Sequence, residues 1–328
     1  MKVIVFVCGF LVWTAGLGGL SGCAASRSEA AFEVIANIKT GDNPHGIWFD
    51  RTRDLAYVAC SGADQIDVID CRTLKVIDSL PAGNVPLDVV ASADERYLIA
   101  TQFQGEELIK FRRIGGPIEK RWKVGEGGSL FAPRHNSDLV YLTCEFADRL
   151  VVFDRRAMEI TASYETGDQP YPAAVTKDGR YAFVPNKGDN SVTVIDLTIG
   201  QTIATIAVGE QPQGGALTQD DRYYIVAESE QDSVAFIDAI THEVVARITE
   251  GVGRRPFAVA VTLDGTYGII NNAGGSTVSI LDIAREQIIG EIETGEQPIV
   301  VRMHPDGKRI FVSNEVSGTV TVLKQRQN

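Results

Sequence analysis

The chain has 328 residues, of which 44% are hydrophobic and 23% are charged, as in a typical soluble globular protein. Its net charge of −12 disfavours broad contact with nucleic acid or anionic lipid, so nucleic acid is not an expected partner. The five cysteines include no Cys-x-x-Cys pair, which excludes a zinc ribbon and a c-type haem attachment site.

The first 22 residues have the features of an export signal. Lys2 supplies a positive charge, and the apolar run 3–13 that follows is too short to span a bilayer as a permanent helix. The segment 20–23 (LSGC) resembles the lipobox of bacterial lipoproteins. The resemblance implies cleavage before Cys23 and acylation of that residue. The alternative is an ordinary signal peptide that is cut near Ala24.

Acylation of Cys23 would also determine where the protein resides. Two or more acyl chains on one residue make a stable anchor, so the membrane is a predicted partner. Residue 24 is alanine rather than aspartate. By analogy with lipoprotein sorting in Gram-negative bacteria, this implies the outer membrane, with the protein facing the periplasm, if the host is Gram-negative; the sequence does not define the type of envelope. Residues 23–32 would then form the acylated tether.

A loop of the form Gly-x-x-Pro recurs along the rest of the chain with a nearly fixed period. The steps between loop glycines are 42 residues, except for one of 44, and the third copy (GEGG) lacks the proline. The loop glycines are Gly41, Gly83, Gly125, Gly167, Gly209, Gly253 and Gly295. A repeat of this length predicts a repeat architecture.

Each repeat contains four short strands. In the fourth repeat, an apolar segment (170–175) precedes an Asp-Gly turn, and strands are predicted at 181–185, 192–196 and 201–208. Four strands per 42 residues are typical of a propeller blade. An aspartate ends the third strand in five repeats, and we expect it to bond turn amides. These aspartates are Asp70, Asp154, Asp196, Asp238 and Asp282.

The last repeat has only three strands, and the missing strand stands at the N-terminus. Residues 33–40 (EVIANIKT) match the segments before the other loop glycines. Seven periods of 42 residues and the two-residue insertion account for the 296 residues from Glu33 to Asn328. We therefore predict an all-β fold, a seven-bladed β-propeller over 33–328 in which the N-terminal strand completes the last blade.

The second strands resemble those of a known repeat family. They read YVAC (57–60), YLTC (141–144), FVPN (183–186) and FVSN (311–314), each before an alternating strand. With the Gly-x-x-Pro loops, they resemble the YVTN family of β-propeller repeats, found in YncE-like periplasmic proteins and surface-layer proteins. Propellers of this kind include lactonases, amine dehydrogenases, haem-binding reductases and proteins with no assigned activity. The resemblance therefore implies a fold rather than a function.

A ligand site is expected on the face that carries the Gly-x-x-Pro loops. In propellers, the loops between fourth and first strands share a face with those between second and third strands. The candidate ligand-binding residues are His45, Cys60, Gln102, Cys144, Tyr171, Asn186, Gln213, Glu228, Arg254, Arg255, Phe257, Asn272 and Asn314. Aromatic rings, polar groups and two arginines would suit a ligand that carries a carboxylate or a phosphate. The alternative is that these residues cap strand ends and contact only water.

No cofactor and no metal are predicted. A soft metal could use thiolate and imidazole ligands, for which His45, Cys60 and Cys144 are the candidates, but no ligand-spacing motif accompanies them. The alternative for the two cysteines is that they are small buried residues in place of asparagine. Their placement two blades apart also predicts that they form no disulfide.

Two functions fit this sequence, and we favour the first. It is a lipid-anchored module that binds or scaffolds a small ligand, a peptide or an envelope protein through the loop face. The second is a lactonase-like hydrolase that uses the same face. His45 and Glu228 would be its acid–base groups, and they would have to reach one substrate.

Replacing Cys23 by alanine is expected to move the protein from the membrane fraction to the soluble fraction, because acylation supplies its predicted anchor. Metabolic labelling with a clickable fatty acid measures this directly. The parent protein should carry the label and Cys23→Ala should not. Cys8→Ala, in the leader, is the matched control and should keep the label. A labelled Cys23→Ala protein would contradict the lipobox assignment.

Overall fold

The computed structural model of the protein describes residues 31–50, 52–134 and 137–326. The predicted signal peptide (1–22) and Cys23 lie outside these residues. None of the helical segments in the described ranges has the length and apolar character that crossing a membrane requires.

The described residues form seven four-stranded antiparallel sheets, which confirms the predicted propeller. In chain order the strands are β1 (Phe32–Lys39), β2 (Pro44–Asp50), β3 (Leu55–Cys60), β4 (Gln65–Asp70), β5 (Lys75–Pro81), β6 (Val89–Ala91), β7 (Tyr97–Gln102), β8 (Glu107–Arg112), β9 (Lys120–Lys123), β10 (Gly128–Pro133), β11 (Leu139–Cys144), β12 (Arg149–Asp154), β13 (Glu159–Glu165), β14 (Ala174–Val175), β15 (Tyr181–Asn186), β16 (Ser191–Asp196), β17 (Gln201–Ala207), β18 (Pro212–Leu217), β19 (Tyr223–Glu228), β20 (Ser233–Asp238), β21 (Val244–Ile248), β22 (Pro256–Val261), β23 (Tyr267–Asn272), β24 (Thr277–Asp282), β25 (Gln287–Glu293), β26 (Pro298–Met303), β27 (Arg309–Asn314) and β28 (Thr319–Gln325). Two short 3-10 turns, Ser61–Ala63 and Ser229–Gln231, follow β3 and β19.

Six blades take their four strands consecutively from β2 to β25, with the first strand innermost. The second and third strands of each blade are almost wholly buried, because both of their faces pack against neighbouring blades. Between the fourth and fifth blades, for example, Phe183 and Tyr224 stack with ring centroids 5.2 Å apart. The fourth strands lie at the rim, where partly buried and exposed residues alternate, as in β13.

The seventh blade is built from both ends of the chain. Its strand order is β1-β28-β27-β26, and β1 pairs antiparallel with β28, so that Ile38 lies opposite Val320. Asn37 also accepts a hydrogen bond from the Thr321 hydroxyl, with 2.7 Å between the oxygens. The predicted closure is therefore confirmed, and β28 does not form an open edge.

The Gly-x-x-Pro loops share one backbone conformation. The residue before each proline has a positive φ, between 50° and 55°, even where it is the β-branched Val85. In four loops this residue donates its N–H to an Asp or Asn side chain of the preceding blade, which fixes the loop across the blade boundary. The four pairs are Val85–Asp64 (2.8 Å), Gln169–Asp148 (3.1 Å), Gln211–Asn190 (2.8 Å) and Arg255–Asp232 (2.7 Å).

The aspartates that end the third strands bond turn amides, as predicted. In the fifth blade, Asp238 Oδ1 accepts the N–H groups of Ile240 (2.8 Å) and Thr241 (3.0 Å). These backbone hydrogen bonds lower the pKa of Asp238 below its usual value. The recurrent aspartate is therefore a turn residue of the fold rather than part of a site.

Ile38→Ala is expected to lower the free energy of unfolding by about 2–4 kcal/mol, because it removes a buried side chain from the strand that closes the ring. Ile35→Ala is the matched control in the same strand. Ile35 is 38% exposed and Ile38 is 5% exposed, so the control should lose much less. Urea unfolding of the mature chain measures both values. Equal losses of unfolding free energy in the two variants would contradict the burial of Ile38 in the pairing of β1 with β28.

Candidate functional site

The strand register puts the Gly-x-x-Pro loops and the ends of the second strands on one face. Pro44 pairs with Cys60, Pro212 with Glu228, and Pro298 with Asn314. We call this the proline face. The opposite face carries the turns between first and second strands and between third and fourth strands, and we call it the turn face. The central channel runs between the two.

The seven residues that end the second strands are at most 3% exposed. They are Cys60, Gln102, Cys144, Asn186, Glu228, Asn272 and Asn314. Asn186 is representative: its Nδ2 donates to the hydroxyls of Ser191 (2.9 Å) and Thr193 (2.8 Å), and its Oδ1 accepts the N–H of Gly167 (3.1 Å). The side chain thus ties the loop glycine to the third strand of its own blade. Ligand binding by these buried residues stays a prediction.

Glu228 binds the Gly209 loop as Asn186 binds the Gly167 loop, but its side chain is charged. Its carboxylate accepts the N–H of Gly209 (2.7 Å), the Ser233 hydroxyl (2.6 Å) and two bonds from the Arg247 guanidinium (2.7 and 2.9 Å). Burial alone would raise the pKa of Glu228, but the bonds from Arg247 and Ser233 lower it below its usual value. The Glu228 carboxylate is therefore ionised and fully buried, and its hydrogen bonds come from groups of its own blade and loop.

His45 has a different partner in a different blade. Its Nε2 lies 3.6 Å from Glu315 Oε1, and both side chains are partly exposed on the proline face. The neighbouring His45 imidazole lowers the pKa of Glu315 below its usual value. Because Glu228 is bonded within the fifth blade and His45 contacts the seventh, no direct contact joins the two proposed acid–base groups. Their catalytic role stays a prediction.

The candidate metal ligands His45, Cys60 and Cys144 are not brought together. Cys60 Sγ lies 3.5 Å from Asp67, and Cys144 Sγ lies 3.5 Å from the Val124 carbonyl oxygen. Burial raises the pKa of both thiols, that of Cys144 to about 12. Both cysteines are buried and neither forms a disulfide.

One other cluster within the described residues has metal-ligand chemistry. The ligand atoms of Asp54, Cys71 and His304 lie within 4.8 Å of one another where the first and seventh blades meet. Arg309 already supplies a cation there, with Nη2 3.3 Å from Asp54 and Nε 2.6 Å from Asp306. Burial raises the pKa of Cys71 to about 12. With a protonated thiol and an arginine in place, the cluster is a polar junction between blades, and we assign no metal to it.

An aromatic pair stands at the centre of the proline face. Tyr171 and Phe257 meet edge to face, with ring centroids 5.8 Å apart, and burial raises the pKa of Tyr171. Lys187 Nζ lies 5.4 Å from the Tyr171 ring centroid. The cavity that these rings line has a volume of about 50 Å³. Such a small space leaves little room for an organic ligand beneath the two rings.

Carboxylates surround this aromatic pair. The residue after each loop glycine is exposed, and in five of the seven loops it is acidic. The five are Asp42, Glu126, Asp168, Glu210 and Glu296, and we call them the acidic rim. The predicted anion-binding Arg254 and Arg255 stand in one loop of this face. Arg255 lies 3.4 Å from Glu230, in an exposed pair of small energetic weight.

The wider end of the channel opens on the turn face. Its cavity has a volume of about 460 Å³ and is lined by Trp48, Asp88, Phe131 and Arg302, among other residues. Burial raises the pKa of Asp88 to about 6, although the Arg302 guanidinium opposes this rise. The sequence analysis placed no site here.

A comparison with protein families matches residues 27–216 to the family described as YNCE-like beta-propeller. Antigen Lp49 of Leptospira interrogans is 25% identical over 162 residues, which cover 44% of this chain and 33% of that protein. The match therefore spans about a third of the length of this relative. Among solved structures, the hydrazine synthase of Kuenenia stuttgartiensis superposes with a TM-score of 0.77 at 20% identity, over 88% of this chain and 98% of that chain. At this identity the likeness concerns the fold alone.

Glu228→Gln is expected to lower the free energy of unfolding by about 1–3 kcal/mol at pH 7, because Arg247 loses its buried anionic partner but is itself partly exposed. The folded pKa of Glu228 is depressed. Its contribution is therefore present above the unfolded pKa of about 4.3 and is lost as pH falls through the folded value.

Chemical unfolding of both proteins at several pH values checks this. The difference between them should shrink at acidic pH. Glu210→Gln, an exposed change of the same kind, should cost less than about 0.5 kcal/mol at every pH. A difference that does not depend on pH would contradict the charge-based account.

Proposed function

Because the chain belongs to the YNCE-like β-propeller family, we propose that it is an exported, lipid-anchored binding module whose proline face holds a basic peptide segment of a partner protein. The observation that carries this proposal is the acidic rim around a closed aromatic mouth. The rim favours a cationic partner, and the small cavity beneath Tyr171 and Phe257 leaves little room for an organic ligand at that point.

The proline face has the composition of a specific docking surface. Tyr171 and Phe257 supply a rigid aromatic centre, where interface energy is commonly concentrated. The acidic rim supplies the long-range attraction that steers a basic segment toward that centre. The loops are held by cross-blade hydrogen bonds, so little conformational entropy would be lost when a partner binds.

The direction of β1 supports an accessible proline face. The strand begins at Phe32, on the turn face, and runs toward the Gly41 loop. The predicted tether would thus join the turn face to the membrane. The acidic rim would point away from the membrane, toward partners in the periplasm.

The acidic rim is tested with a short lysine- and arginine-rich peptide that contains one tryptophan. We expect the parent protein to bind it with an affinity that falls as salt rises. Glu126→Gln, Glu210→Gln and Glu296→Gln together should weaken binding by about tenfold, as each rim charge contributes a fraction of a kcal/mol. Isothermal titration calorimetry on the mature protein measures both affinities.

A matched triple variant makes the same charge change on the other face. It carries Glu159→Gln, Glu243→Gln and Glu286→Gln. It should bind the peptide as the parent does. Equal weakening in both triple variants would assign the binding to net charge and overturn the proposal. So would equally tight binding of an acidic peptide of the same length.

A further inference from the structure

The cavity at the turn face has the size of a small-molecule site. Its volume of about 460 Å³ lies in the range of roughly 300–1,000 Å³ that is common for ligand pockets. Trp48, Phe131 and Met303 are among its apolar lining residues. The inner strands of the seventh, first and third blades supply these residues near their turn-face ends.

The two residues that distinguish this end of the channel break the repeat pattern. The fourth residue after the loop proline, or after its counterpart in the third repeat, is small in five repeats: Val90, Ala132, Ala174, Ala216 and Ala260. The first and seventh repeats have Trp48 and Arg302 instead. These repeats form adjacent blades, so an aromatic ring and a cation stand beside each other at the cavity wall.

Arg302 has donors that the fold does not use. Its Nη2 donates to the Phe131 carbonyl oxygen (3.0 Å) and lies 3.8 Å from Asp88 Oδ2. Within the described part of the chain, its Nε and Nη1 make no hydrogen bond. The side chain is 31% exposed. A guanidinium with two adjacent donors available is suited to a planar carboxylate.

The acid beside Arg302 is largely satisfied by backbone donors. Asp88 is 2% exposed, and its oxygens accept the N–H groups of Val89 (2.8 Å) and Phe131 (2.8 Å). Gly46 packs directly against it, because a Cβ at this glycine would lie 2.0 Å from Asp88 Oδ1. Asp88 thus orders the inner strands and leaves the outward side of Arg302 open to the cavity.

Trp48 supplies the aromatic surface of this wall. Its indole Nε1 is buried and has no hydrogen-bond partner among the described residues. The Arg155 guanidinium carbon lies 5.0 Å from the Trp48 ring centroid. The charged lining comprises four arginines and three acids, and Asp138 is paired with Arg156 (2.5 Å). The wall therefore has a cationic excess beside its aromatic surface.

We propose that the turn-face cavity binds a small organic carboxylate, whose head group pairs with the Arg302 guanidinium and whose apolar body lies against Trp48 and Met303. The site shares Phe131 and Arg302 with the small cavity beneath Tyr171 and Phe257, but it opens on the turn face and does not depend on the function proposed for the proline face.

The fluorescence of Trp48 can be used to detect ligand binding in the cavity. Trp122→Phe leaves Trp48 as the one tryptophan of the mature chain, because Trp13 is in the leader. The probes are 3-phenylpropionate and a series of longer aryl carboxylates, each with its neutral amide. We expect a saturable change in Trp48 fluorescence with the carboxylates and at least a tenfold weaker response with the amides.

Substitutions of Arg302 separate recognition from folding. Arg302→Gln should weaken carboxylate binding about tenfold or more, and Arg302→Lys should weaken it less, because lysine keeps the charge but not the two-donor geometry. Arg254→Gln, on the proline face, is the control and should leave binding unchanged. Thermal unfolding of each variant establishes that it is folded.

Several results would overturn the proposal of a carboxylate site at Arg302. One is equal binding of carboxylates and amides, and another is unchanged affinity in a folded Arg302→Gln protein. A third is the absence of a saturable response to any carboxylate of the series up to about 10 mM, where ligands of this size would still show occupancy. Binding of aryl phosphates without binding of carboxylates would overturn the assigned head group.

Discussion

The pairing of β1 with β28 is the constraint on which the rest of this structure depends. A propeller blade buries both faces of its second and third strands only if it has a neighbour on each side. The seventh blade meets this condition by taking its outer strand, β1, from the N-terminal side of the other blades. The central channel and both of its ends exist because this ring is closed.

Within the ring, most of the recurrent polar residues form hydrogen bonds that stabilise the blades. The side chains that end the second strands bond the loop glycines, and the aspartates of the third strands bond turn amides. The side chains that differ between repeats are more informative about the position of a binding site. Substitution of one blade position does not change the fold, because the other six blades keep the geometry. A repeat protein can therefore acquire a site by altering one or two copies of a position.

The period predicted the blade number, the closure and the shared face of the loops, because these follow from spacing alone. The candidate site could be predicted only in part. Spacing placed Asn186 and Glu228 on the proline face, but it could not show that their side chains turn into the blade to meet Ser191 and Arg247. Trp48 and Arg302 depart from the residues at the same position of the other repeats, but the sequence analysis did not identify them, because their significance depends on the cavity that tertiary packing leaves beside them.

The two ends of the channel differ in chemistry for a structural reason. The proline face is formed by tight loops whose exposed residues are mostly acidic, and these loops surround an aromatic centre. The turn face receives the ends of the inner strands, where Trp48 and Arg302 stand in place of the smaller residues of the other blades. One module can thus present a protein-docking surface at one end and a small-molecule site at the other.

Hydrogen exchange of β28 tests the closed ring most directly. In the mature chain, the amides of residues 319–325 should exchange only through opening of the whole domain, at the rate of the buried second strands. In a chain that begins at Gly41, and so lacks β1, the β28 amides that point toward β1 should exchange much faster, because they lose their acceptors and β28 becomes an open edge. Slow exchange of β28 in the shortened chain would contradict the account.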